Sequence, residues 1–143
     1  ILNLSNCQSK YVLFNTWTTK IDYPKEYCYP AVVIDKYAKP GEKICSPKIS
    51  DEKDYSKLLE SGYKELASKN NLILTKHAVL FEKVRQKHPN LDLLEDDMHP
   101  SREGAFLSAA IFYELLTGKK ANKLKYNADL KTLTANLLKE ASS

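Results

Sequence analysis

The chain has 143 residues, 43% of them hydrophobic and 28% charged, a length that suits one domain with its own core. That balance excludes a disordered, collagen-like or disulfide-dense class. No apolar run reaches the ~18–20 residues of a membrane span, because the longest, residues 105–116, is broken by Ser108 and Glu114. The net charge of +4 is carried by one stretch, where Lys119, Lys120, Lys123, Lys125 and Lys131 face only Asp129. Such a stretch attracts phosphate or anionic lipid, but lysines past a helix C-terminus are also what the helix dipole favours. No basic-and-aromatic RNA motif accompanies it, so a nucleic-acid partner is not expected.

In chain order, Tyr11, Val12, Leu13 and Phe14 form a β-branched and aromatic run that reads as a buried strand. Residues 18–50 follow as an irregular Pro- and Tyr-rich insertion holding Pro24, Pro30, Pro40 and Pro47, with one ordered piece expected at residues 31–35. Excursions of this length are often lids or binding loops. Ser50 or Asp51 can cap a helix whose apolar stripe is Tyr55, Leu58, Leu59, Tyr63 and Leu66, ended by Asn70 and Asn71. Residues 72–74 read as the next strand and residues 78–87 as a helix stopped before Pro89. Ser101 then caps a helix through Thr117, with Phe106, Ala109, Ala110, Tyr113 and Leu116 expected inward and Gly118 at the left-handed C-terminal position. A last helix is expected over residues 128–140, with Leu130, Leu133 and Leu137 inward. Strand and helix alternate, which predicts an α/β fold with parallel strands. Two strands are too few for a complete doubly wound sheet.

Cys7, Cys28 and Cys45 are an odd set without a C-x-x-C spacing, which excludes a zinc ribbon or a thioredoxin motif. Cys28 and Cys45 could form a disulfide or remain free buried thiols. Pro89 and Pro100 keep His77, His88 and His99 off a common helix, so neither a three-histidine metal site nor any other metal or cofactor is expected.

The most informative segment is Asp96-Asp97-Met98-His99-Pro100-Ser101-Arg102-Glu103-Gly104. A carboxylate three residues before a histidine can hold the ring in one tautomer and stabilise the imidazolium. The proline and the helix cap beyond it make the histidine a rigidly placed loop residue, as a general base requires. Trp17, just past the first strand, is a candidate for lining a substrate pocket. His77, at a strand-to-helix junction, stands where ligands bind in α/β sheets.

This D-x-x-H-P-S-x-x-G block, followed by the apolar helix "GAFLSAAIFYELLTGKK", resembles the last conserved block of the SGNH (GDSL-type) hydrolase superfamily. "YVLFNTWTTK" and "YKELASKNNLILTKHAVLFEKV" are similar to earlier segments of some members, so the resemblance runs over residues 11–120, with the insertion apart. It implies a three-layer α/β/α, flavodoxin-like parallel-sheet fold, of which residues 1–143 would be the C-terminal part of a single domain. It implies a serine esterase or deacetylase acting on an acylated carbohydrate or small acyl ester, without a cofactor. His99 matches the family's general base and Asp96 its orienting acid, with Asp97 the alternative. Gly104 matches a close-packing position, and Ser101 reads as a helix cap rather than the nucleophile. The family's G-D-S-like serine block and G-x-N-D block have no counterpart here, since the only glycines are Gly41, Gly62, Gly104 and Gly118. The expectation is therefore that the nucleophile and oxyanion hole belong to a companion N-terminal segment or chain. The alternative is a binding or assembly module that keeps the fold without catalysis.

Overall fold

A computed structural model describes residues 10–143; Cys7 lies outside them. The chain is α/β, with a small parallel sheet and a helical core. Strand β1 (Val12–Leu13) pairs in parallel with β4 (Ile73–Leu74), Val12 opposite Ile73 and Leu13 opposite Leu74. The ladder continues past the strand ends. Thr75 N–H donates to the Leu13 carbonyl at 3.0 Å, and Asn15 N–H donates to Thr75 Oγ1 at 2.9 Å.

The insertion is more ordered than its prolines suggest. Strands β2 (Cys28–Pro30) and β3 (Lys43–Cys45) form an antiparallel hairpin, and Cys28 and Cys45 stand directly opposite each other in a disulfide. A 3-10 turn over Ala31–Val33 occupies the start of the segment expected to be ordered. The hairpin is anchored at its base, where Lys25 and Ile49 pair backbone to backbone and Ile49 is buried.

Helix α1 (Glu52–Asn70) is capped by Asp51, whose carboxylate accepts from Asp54 N–H at 2.8 Å, and stops at Asn71 in the left-handed region (φ 51°). Its buried face differs from the expected stripe. Ser56 and Ala67 are the buried residues, Tyr55, Leu58, Leu59 and Tyr63 are half-buried, and Leu66 is exposed. Helix α2 (His77–Lys87) begins one residue earlier than its periodicity predicts. Helix α3 (Arg102–Thr117) runs from the Ser101 cap to Gly118 at φ 68°, as the end signals predict. Its rotation differs: Leu107 and Ile111 are buried with Phe106 and Ala110, while Ala109 and Leu116 face outward. A helix that is apolar nearly all round does not declare its inner face by periodicity. A backbone contact sets it, because a Cβ on Gly104 would stand 2.1 Å from the Leu93 carbonyl oxygen.

Helix α4 (Thr132–Ala141) starts four residues later than expected. Ala128 and Asp129 have φ of 51° and 54°, which no right-handed helix accommodates. Arg102 holds this turn by donating to the Ala128 carbonyl at 2.7 Å and to Asp129 at 3.3 Å. Leu133 consequently points to solvent, while Ala135 and Leu138 are buried. The core joins α2, α3 and α4 through Leu80, Phe81, Val84, Leu107, Ile111 and Leu138. Each such side chain contributes about 1.5–3 kcal/mol by leaving water. No helix among the described residues is long and apolar enough to cross a membrane.

Candidate functional site

The segment between α2 and α3 folds into a small closed loop. Leu94 and Pro100 form a backbone bridge, and Glu95 N–H donates to the His99 carbonyl at 3.0 Å. Inside it, Asp96 Oδ1 accepts from the N–H groups of Met98 (2.7 Å) and His99 (2.6 Å). Short polar side chains bind the backbone two and three residues on in this way, and the turn follows from the sequence itself. The second oxygen, Asp96 Oδ2, meets His99 Nδ1 at 2.7 Å. One carboxylate thus shapes the loop and orients the ring.

The electrostatics follow from these bonds. The amide of His99, then its ring, then the amide of Met98 hold the Asp96 carboxyl well below the usual carboxylate range. The hydrogen bond from Asp96, together with its charge, raises the His99 imidazole above its ordinary value. Both side chains are exposed. With Nδ1 committed to Asp96, Nε2 is the nitrogen that can exchange a proton with a reacting group. Asp97 does not reach the ring, and its carbonyl instead accepts from Lys20 N–H at 2.7 Å.

The loop is strapped to the carboxyl end of β1. Trp17 donates its indole N–H to the Met98 carbonyl at 3.0 Å and stacks on Phe81 with ring centroids 4.5 Å apart. Thr18, next along the strap, is held by a half-buried network in which its hydroxyl and Arg85 both donate to Glu52 Oε1, at 2.9 and 2.6 Å. Lys20 pairs with Asp92 at 3.0 Å. Residues beyond strand carboxyl ends line the ligand crevice in parallel α/β sheets. Sequence reading singled out Trp17 but not Arg85, Glu52 or Lys20. Their pairings span many tens of residues and leave no local signal.

Ser101 is fully engaged as a cap, donating to the Asp92 carbonyl at 2.8 Å and accepting from Gly104 N–H at 3.1 Å. Among the described residues, no serine or cysteine side chain is hydrogen-bonded to His99.

His77 is not brought to this loop. It is fully buried, with Nε2 2.9 Å from Ser108 Oγ and the ring packed edge-on against Phe14. Burial pushes its pKa down to about 4, opposed by the bond to the Ser108 carbonyl. It is a neutral core histidine at pH 7. Its Nδ1 and the buried Asn15 Oδ1 have no hydrogen-bond partner among the described residues. Glu26, Cys28 and Cys45 form a cluster of metal-ligand type, but both sulfurs are spent in the disulfide.

No family model matches this chain, and no curated protein or solved structure matches it either.

Proposed function

We propose that this chain is the acid–base part of an SGNH-type serine esterase or deacetylase. The observation that carries the reading is the Asp96 Oδ2–His99 Nδ1 bond of 2.7 Å, set in a D-x-x-H-P-S block at the carboxyl end of a parallel strand. In this reading a serine from a companion N-terminal segment attacks an ester carbonyl of an acylated carbohydrate or small acyl ester. His99 Nε2 takes the serine proton and returns it to the leaving alcohol, and Asp96 stabilises the imidazolium. Oxyanion donors come from the same companion, giving a three-layer α/β/α domain once the sheet is complete.

Three features support a completing segment. Among the described residues the parallel sheet has two strands, each with an unpaired edge, whereas parallel sheets are ordinarily covered on both faces. Phe14 and Ile73 are exposed at that sheet. The orphaned Asn15 Oδ1 and His77 Nδ1 stand just past the carboxyl ends of β1 and β4, and such atoms cost about 1–3 kcal/mol each when left unpaired.

The test is His99→Ala in the protein together with its companion segment, assayed on an acetyl ester. kcat is expected to fall at least about 10³-fold with the fold intact. Unchanged turnover overturns the assignment. Among the described residues no serine side chain is hydrogen-bonded to His99, which favours, as a second reading, a binding or assembly module without catalysis. A glycine or alanine at the companion's nucleophile position would establish that reading instead.

A further inference from the structure

The disulfide-closed lobe between Cys28 and Cys45 is built unlike the rest of the molecule. It holds six of the thirteen exposed large hydrophobic side chains among the described residues. Val33 is 74% exposed, Ile34 63% and Tyr37 82%. These are not side chains on a slack loop. Ile34 and Asp35 N–H both donate to the Ala31 carbonyl, at 2.9 and 2.8 Å, and Ala38 N–H donates to the Asp35 carbonyl. Ala31 is buried, and the disulfide closes the hairpin beneath it. From Val32 to Cys45 every residue but Ala38 is exposed, so the lobe is convex rather than grooved.

The charge around this apolar tip is net positive. Residues 25–48 contain Lys25, Lys36, Lys39, Lys43 and Lys48 against Glu26, Asp35 and Glu42. The tip's two acids are turned onto backbone amides, Asp35 onto Tyr37 N–H at 2.9 Å and Glu42 onto Lys39 N–H at 3.1 Å. None of the five lysines makes an ion pair among the described residues. Lys36 Nζ lies over the Tyr37 ring, 4.9 Å from its centroid, so a cation and an amphipathic ring stand together at the tip.

We propose that this lobe docks the protein on an anionic lipid surface. Val32, Val33 and Ile34 enter the boundary of the acyl chains. Tyr29 and Tyr37 sit at headgroup level, where amphipathic rings partition, and the lysines meet lipid phosphates. A convex, β-branched tip with unpaired lysines fits a soft anionic interface. A protein partner would have to offer both a deep apolar socket and a ring of acids. The inference is independent of the esterase reading.

The experiment is cosedimentation of the full chain with vesicles of equal parts phosphatidylcholine and phosphatidylglycerol, beside vesicles of phosphatidylcholine alone. Binding to the anionic vesicles is expected, weakening as salt rises. Val33→Asp with Ile34→Asp should lower it more than about tenfold, and Lys36→Glu with Lys39→Glu by a similar factor. All four side chains are exposed, and an unchanged circular dichroism spectrum confirms that the variants fold. Equal binding to both vesicle types, binding that survives the tip pair, or loss on reversal of Lys123 and Lys125 with the tip variants still bound would overturn the proposal. So would self-association through the tip without vesicle binding.

Discussion

At the scale of single residues, the bond between Asp96 and His99 moves their two titrations apart. His99 is raised above 6.5 by Asp96, so its contribution to loop order is full below that pH and is lost as pH rises through the raised value. Asp96 is lowered from 3.8, so its contribution is present above that value and is lost as pH falls through the lowered one. Asp96→Asn should therefore bring the His99 pKa down to about 6.5, the free-imidazole range, in an NMR titration of the ring protons. A His99 titration unmoved by that change would show that Asp96 is not its partner. The D-x-x-H spacing was legible because the Asx turn that makes it is local. The same spacing put Asp96 ahead of Asp97, and the structure shows the Asp96 carboxylate on the Met98 and His99 amides and the His99 ring.

At the scale of elements, the start of α3 and the strap from β1 place the loop. A methyl group on Gly104 would meet backbone, which cannot rotate away. Gly104→Ala should then destabilise the protein by about 3 kcal/mol, the upper end for overpacking, read as a lowered midpoint in urea. An unshifted midpoint would mean that α3 can slide off Leu93. Trp17→Phe keeps a ring on Phe81 but removes the indole N–H that binds the Met98 carbonyl. The expected outcome is a stable fold whose Met98 and His99 amides exchange faster with deuterium and, if the proposed esterase function holds, a lowered kcat. Exchange at the wild-type rate would remove Trp17 from the positioning of the loop. Helix ends were legible at this scale because caps such as Asp51, Ser101 and Gly118 act within one turn. The start of α4 was not, because Ala128 in a left-handed conformation is sustained by Arg102, 26 residues away.

At the scale of the whole molecule, acid should act through His77. Its pKa of about 4 in the fold lies below the 6.5 of the unfolded chain. Between those values the unfolded chain binds a proton that the folded core refuses, so stability falls as pH drops from 6.5 to about 4 and then levels off. The full effect is at most about 3 kcal/mol. Urea unfolding at a series of pH values should show this slope in the wild type and lose it in His77→Gln. A slope that persists in the variant would assign the acid sensitivity to the carboxylates. The parallel sheet, open at both edges among the described residues, and the buried orphans beside it belong to this scale too, and in the proposed function a companion segment covers both.

By itself, the sequence determined the alternation of strands and helices, the caps that bound α1 and α3, and the D-x-x-H-P-S turn. All of these rest on contacts within a few residues, where residue type and backbone geometry are directly coupled. Tertiary structure alone decided the inward faces of α1 and α3, the Cys28–Cys45 bridge, the burial of His77 behind Phe14 and Phe112, and the strap from Trp17 to the histidine loop. Those depend on which distant surfaces meet, and local propensity carries no record of that.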